Sequence, residues 1–152
     1  MSTLYFAYGS NLDTTQMQAR IGRVPRGTIA RLPGYRLAFN TSDVEQTEIY
    51  ANLMPEDGNS VWGVIYECDE AELKKLDQYE DVDSGHYRRG PVVVVTPSEK
   101  RLEAMAYFAC PGRLCAEGQP SARYRLSIVS GARQHGLLAE YVRRIETLAG
   151  LT

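Results

Sequence analysis

The chain has 152 residues, 43% hydrophobic and 24% charged, with a formal net charge of −2. That length supports a full hydrophobic core, and the composition is that of an ordinary globular protein rather than a disordered one. The charge balance, with no long cluster of basic residues, argues against a nucleic-acid partner. No run approaches the ~18 apolar residues of a membrane span, and the N-terminus carries no signal-peptide pattern. These features predict a cytoplasmic protein without a membrane partner, organised as a single domain over residues 1–152.

Residues 3–8 read as a strand, aromatic and apolar. It breaks abruptly at Gly9-Ser10-Asn11. Glycine lets a backbone approach a ligand closely or take a positive φ, and Ser and Asn can hydrogen-bond locally or to that ligand. Asp13 follows as an expected N-cap, with Gln16 in the capping-box position of a helix that runs to Arg20 and stops at Gly22. Such a strand–turn–helix either is a plain connection or aims backbone N–H groups at one point, where an oxyanion can sit.

Residues 27–31 and 35–40 are strand-like, with Pro33-Gly34 predicted as the turn between them. A polar loop spans 41–48. Residues 50–54 form a further strand, and 55–59 (Pro-Glu-Asp-Gly-Asn) a turn. Residues 61–67 are rich in β-branched and aromatic side chains and read as the next strand. Asp69 then caps a helix reaching about Tyr79, with Glu72 in capping-box position. Residues 87–96 contain Val92-Val93-Val94-Val95, which reads as a buried strand. Through a turn at 97–100 it pairs with 102–109 as a hairpin. Pro120-Ser121 opens a helix that Gly136 ends. Leu138, Tyr141, Val142, Ile145 and Leu148 share one face of the last. Several strands with few helices predict an α+β fold, a small mixed β-barrel with flanking helices.

Glu80 stands out among the acids. Leu73 and Leu76 form the apolar stripe of the 69–79 helix, and one more turn of that stripe lands on Glu80, while Glu72 and the other charges fall on other faces. At a helix C-terminus and partly buried, a carboxylate is pushed toward neutrality, which suits proton transfer. The alternative is that the helix has ended and Glu80 turns to water.

Other chemistries are less well supported. Three cysteines (Cys68, Cys110, Cys115) without a CxxC spacing predict neither a disulfide framework nor a zinc site, and no metal or other cofactor is expected. A Ser–His–Asp hydrolase would need Ser10 with His86 or His135, but Ser10 is not in a GxSxG elbow. His135 reads better as a helix C-terminal residue favoured by the dipole. Tyr124 is either core packing or pocket lining, as are Tyr87 and Tyr107. Arg88-Arg89 can attract a carboxylate or keep their heads in water.

Tyr5-Phe6-Ala7-Tyr8-Gly9-Ser10-Asn11-Leu12 resembles the substrate-binding loop of the γ-glutamylcyclotransferase family. Leu76-Asp77-Gln78-Tyr79-Glu80, followed by Ser84-Gly85-His86-Tyr87, resembles the family's second motif, whose final acid is catalytic. Val61-Trp62-Gly63-Val64, Pro120-Ser121-Ala122-Arg123-Tyr124, Gly131-Ala132 and Gly136-Leu137 extend the resemblance over nearly the whole chain. One departure is Asp81, where many members have Gly.

The resemblance implies an enzyme that releases 5-oxoproline from γ-glutamyl compounds, with Glu80 as general acid/base. Substrate would be held by Tyr5, Phe6, Ala7, Tyr8, Gly9, Ser10, Asn11, Tyr87 and Tyr124. The implied partner is a small γ-glutamyl molecule, and the chain would act as a monomer or homodimer. Two alternatives stay open. One is a cyclotransferase for γ-glutamylamines or for a biosynthetic γ-glutamyl protecting group. The other is a non-catalytic binding domain, although a binder has no need of an acid on an apolar stripe.

Overall fold

The computed structural model describes residues 2–148 and 150. Five strands close into a mixed barrel in the order β1-β3-β2-β4-β5: β1 (Ser2–Ala7), β2 (Gly27–Ser42), β3 (Ile49–Asp69), β4 (Tyr87–Val95) and β5 (Arg101–Ala109). Antiparallel pairing runs through most of it, and the parallel contact of β1 with β5 at Tyr5 and Met105 closes the ring. Four helices accompany it: α1 (Thr14–Ile21), α2 (Glu70–Tyr79), α3 (Ala122–Gln134) and α4 (Ala139–Leu148). No helix of the described residues is long and apolar enough to cross a membrane.

The expected mixed barrel with flanking helices is the observed architecture, but two of its strands are longer than predicted. Pro33-Gly34 does not turn the chain. Residues 27–42 form one strand, and both halves pair with β3. The predicted turn at 55–59 lies inside β3. The two irregularities face each other: pairing steps from Pro33 with Ser60 to Tyr35 with Pro55, leaving residues 56–59 opposite a glycine bulge at Gly34, φ 86°. Each local break signal is absorbed as half of a shared bulge, which bends a long hairpin instead of ending it.

The Val92–Val95 run is not buried throughout. Val92, Val94 and Val95 are buried while Val93 is 40% exposed, since a strand with one solvated face shows alternate side chains to water, and Val95, on the same face as Val93, is covered at the strand end. On α4, Tyr141, Val142 and Ile145 are buried, whereas Leu148 and Leu138, the residue just before the helix, stay exposed.

Local signals fix the helix ends. Asp69 and Glu72 form the full reciprocal capping box, at 2.8 and 3.0 Å. Glu72, off the Leu73–Leu76 stripe, is nevertheless buried, and Arg23 neutralises it at 2.6 Å. Asp13 caps α1 through the Thr15 N–H, but Gln16 does not complete that box, since its amide reaches back to Ser10 and Asn11. Leu73 and Leu76, both fully buried, hold α2 on the barrel, each worth ~1.5–3 kcal/mol.

Two close backbone approaches set where the loop after β1 sits. A Cβ on Gly63 of β3 would collide with the Ala7 carbonyl and come within 3.0 Å of the Phe6 ring. A Cβ on Gly131 of α3 would collide with the Leu12 carbonyl carbon and approach Asp13 N at 2.5 Å. Glycine at both positions lets β3 and α3 press directly on the two ends of the loop.

Candidate active site

The chain leaves β1 at Ala7 and makes a short 3-10 turn over Ser10–Leu12 before α1. Leu12 N–H bonds Gly9 O and Asp13 N–H bonds Ser10 O, both at 3.0 Å. The first N–H groups of such a turn have no partner within it. Two side chains pin its far end: Tyr66 donates its hydroxyl to Asn11 O at 2.9 Å, and His135 donates Nε2–H to Leu12 O at 3.0 Å. Burial holds the His135 pKa below its ordinary value, so it serves as a neutral donor and not as the dipole-stabilised cation expected from its helix-end position.

Glu80 is the C-cap of α2. Its N–H still bonds Leu76 O at 2.9 Å, so the helical path persists to this residue and its side chain turns inward, 17% exposed. The helix then stops within two residues. Asp81 takes φ 52°, its N–H bonds Gln78 O and the Val82 N–H bonds Asp77 O. This is a Schellman ending with the left-handed position at residue 81. Glycine occupies such a position without cost and Asp is among the residues that tolerate it, which accounts for the departure noted there.

The inward turn carries Glu80 to the loop. Asn11, 3% exposed, donates through Nδ2 to Tyr5 Oη at 2.8 Å and to Glu80 Oε1 at 3.4 Å. Its Oδ1 accepts from Gln16 at 3.0 Å and from Arg20 at 3.1 Å. The Arg20 guanidinium also lies 3.5 Å from Glu80 Oε1 and stacks over the Tyr79 ring. A small cavity opens at this junction, lined by Tyr5, Tyr8, Gly9, Ser10, Asn11, Ala51, Glu80, Tyr87, Tyr107 and Tyr124. A larger outer cavity shares Ser10, Glu80, Tyr87 and Tyr124 with it.

The tyrosines are fixed by hydrogen bonds. Tyr87 donates to Ala51 O at 2.6 Å, Tyr124 Oη accepts the Ala51 N–H at 3.1 Å, and Tyr8 donates to Tyr107 O at 2.6 Å. Tyr107 donates to Asp77 at 2.7 Å, and Arg89 grips the same carboxylate at 2.9 Å. Arg89 is therefore committed to α2 rather than to the cavity.

Electrostatics separate Glu80 from these neighbours. Burial raises its pKa to about 7. Arg20 and the Asn11 hydrogen bond oppose that shift, and Asp81 and Asp77 add to it. Burial also pushes the hydroxyls of Tyr5, Tyr8, Tyr87 and Tyr124 above the usual phenol value, so they are neutral donors and acceptors. A carboxyl that gains and loses a proton near neutrality thus faces a wall of fixed neutral hydroxyls and a polar backbone turn, an arrangement for moving protons on a small bound molecule.

Seven of the nine residues expected to hold substrate line this cavity together with Glu80. Phe6 and Ala7 do not. Both are fully buried: Phe6 faces the opposite side of β1 from Tyr5, with its ring against Gly63, and Ala7 lies with its backbone carbonyl against the same glycine. Gly9 has φ −117°, so no positive φ demands glycine there. A Cβ would instead stand 3.5 Å from Ala51 Cβ and from Tyr124 Oη, at the cavity itself. No Ser–His dyad forms: Ser10 Oγ accepts from Gln16, His86 Nε2 lies against Thr41, and His135 serves Leu12. All three cysteines are free, and no group of three or more His, Cys, Asp or Glu among the described residues is placed to hold a metal. Two contributors escaped the sequence reading. Ala51 acts through its backbone, which no side-chain pattern signals. Arg20 has the look of an ordinary last-turn cation.

The AIG2-like family model matches residues 60–145. The γ-glutamylcyclotransferase of Homo sapiens is 31% identical over 151 residues, covering 97% of this chain and 79% of its own. That of Bos taurus matches with the same identity and the same coverage. A solved γ-glutamyl cyclotransferase structure superposes with a TM-score of 0.86 at 31% identity, over 96% of this chain and 87% of the other.

Proposed function

The chain belongs to the γ-glutamylcyclotransferase family, and from that premise we propose that it converts γ-glutamyl amino acids to 5-oxoproline and the free amino acid, with Glu80 as the proton-transfer group. The observation that carries this reading is the meeting of the Glu80 carboxylate with the loop Tyr8–Asn11 in one cavity, bridged by Asn11 at 3.4 Å.

The substrate enters with its α-nitrogen as an ammonium. That nitrogen must shed two protons on the way to a lactam N–H. The leaving nitrogen must gain two to depart as an ammonium ion. Glu80, with a pKa of about 7, accepts the first proton and frees the lone pair. The nitrogen attacks the γ-carbonyl carbon and the oxygen becomes an oxyanion, stabilised by the backbone N–H groups of Gly9–Asn11. Glu80 hands its proton to the leaving nitrogen as the C–N bond breaks, relays the second in the same direction, and ends as it began, a carboxylate. Attack is intramolecular, so the tyrosine-lined cavity contributes mainly by holding the glutamyl chain folded.

The test is incubation of the purified protein with a panel of γ-glutamyl amino acids, glutathione and γ-glutamylamines, scored for 5-oxoproline. Release from γ-glutamyl amino acids supports the reading, and release only from the amines reassigns the leaving group. No release from any member of the panel refutes it.

A further inference from the structure

We propose that Arg20 is a positioning residue for this reaction: its guanidinium, held between Asn11 and Glu80, is a fixed countercharge that keeps the Glu80 carboxylate available as the base. The inference rests on the reading of Glu80 as the proton-transfer group.

Three contacts hold the charge in place. Arg20 lies in the last turn of α1, which Gly22 ends in a left-handed cap, and its side chain is only 19% exposed. Nη1 donates to Asn11 Oδ1 at 3.1 Å and lies 3.5 Å from Glu80 Oε1. The guanidinium carbon sits 4.8 Å from the centre of the Tyr79 ring, on the same helix that ends at Glu80. A cation fixed by the loop, the carboxylate and an aromatic face is not an arm reaching for solvent. Gln16 also bonds Asn11 Oδ1, at 3.0 Å, so Arg20 is not needed simply to satisfy that amide.

The charges around Glu80 show why the position matters. Asp77 and Asp81 flank it in its own segment. Tyr5 and Tyr8 from β1 and the chain just after it, Tyr50 from β3, Tyr87 from β4, Tyr107 from β5 and Tyr124 from α3 face it as neutral phenols. Asp43 and His86 line the outer cavity. Burial lowers the His86 pKa, so it adds no positive charge at neutral pH. Among the described residues lining the two cavities, Arg20 is the positive side chain that remains. Burial and two nearby acids all favour a protonated, idle Glu80, and Arg20 offsets them.

The same placement serves the later step. When Glu80 takes the ammonium proton its negative charge disappears, and negative charge builds on the carbonyl oxygen beside the loop that carries Asn11. Arg20 touches both Asn11 and Glu80, so the charge that moves from one to the other stays beside the same stationary cation.

The experiment compares wild type with Arg20→Met, Arg20→Gln and Arg20→Lys. Arg20→Gln keeps a donor for Asn11 and serves should Arg20→Met fail to fold. Glu80 titration is followed by NMR of carboxyl-labelled glutamate, assigned with Glu80→Gln, which requires no turnover. The pH profile of 5-oxoproline release is measured alongside. Removing an opposite charge at this range should raise the Glu80 midpoint by about 1–3 pH units, and Lys should restore part of the difference. At pH 7 the neutral variants should lose roughly 5- to 500-fold in rate, the drop in ionised Glu80 that such a shift implies, and regain much of it above pH 9. A folded neutral variant with an unmoved Glu80 midpoint, or a loss of rate equal at every pH, overturns the proposal. If wild type releases no 5-oxoproline, the functional reading falls, and the carboxyl titration still decides the role of Arg20.

Discussion

Replacing Glu80 by Gln should stabilise the protein in a way that depends on pH, and the size follows from the site. The folded carboxyl titrates near 7, against 4.5 for an unperturbed one, with burial as the main cause. The native state therefore holds this proton more tightly than the unfolded chain does. Protonated Glu80 contributes its full stability below pH 4.5, and that contribution is lost as pH rises through 7. At pH 8 the loss amounts to roughly 3 kcal/mol, from about 1.36 kcal/mol per pKa unit. Gln keeps the shape and stays neutral throughout. The variant should melt with wild type near pH 4 and gain progressively above it. At about 2–4 °C per kcal/mol for a chain of this size, the gain by pH 8 is roughly 6–12 °C. Calorimetric melts of both proteins from pH 4 to 8 measure it. A melting difference that does not change with pH would refute the reasoning, since it would mean that Glu80 titrates where an exposed carboxylate does.

Gly9→Val should reduce turnover far more than stability, because its Cβ would stand 3.5 Å from Ala51 Cβ and Tyr124 Oη with two further methyls projecting into the cavity; steady-state kinetics beside a thermal melt separate the two effects. Gly131→Ala should cost both, about 1–3 kcal/mol or more from overpacking against the Leu12–Asp13 backbone, together with activity lost as the loop is displaced. Denaturant unfolding and 5-oxoproline release on that variant check the pair of effects, and a fully active, fully stable Gly131→Ala would show that α3 does not brace the loop.

The features legible in the sequence are those set by short-range hydrogen bonds. Asp69 with Glu72, Ser121 at the start of α3 and the β4–β5 hairpin each declare themselves within a few residues, and all lie where expected. The long strands were not legible, because Pro33-Gly34 and residues 55–59 are break signals only until they are seen to face each other across one hairpin. Glu80 lay between the two cases. The stripe Leu73–Leu76 points to it, but its inward direction depends on the helical path persisting as far as residue 80, just before the ending at Asp81, and a local reading cannot place that ending to a single residue. Arg20 required the tertiary structure: only folding places α1 against α2 and turns a last-turn cation into a neighbour of Glu80.

The central claim is that Glu80 moves the protons of a cyclisation. It is tested most directly by the rate of 5-oxoproline release from a γ-glutamyl amino acid by folded Glu80→Gln relative to wild type. Gln preserves packing and hydrogen bonding but cannot accept the α-ammonium proton, so the account predicts a loss at the upper end of the ~10²–10⁴-fold typical of a missing general base, with a melting temperature at pH 8 no lower than that of wild type. A folded variant that keeps more than about a tenth of the wild-type rate, far above that expected residue, would contradict it and leave the proton transfer to another group.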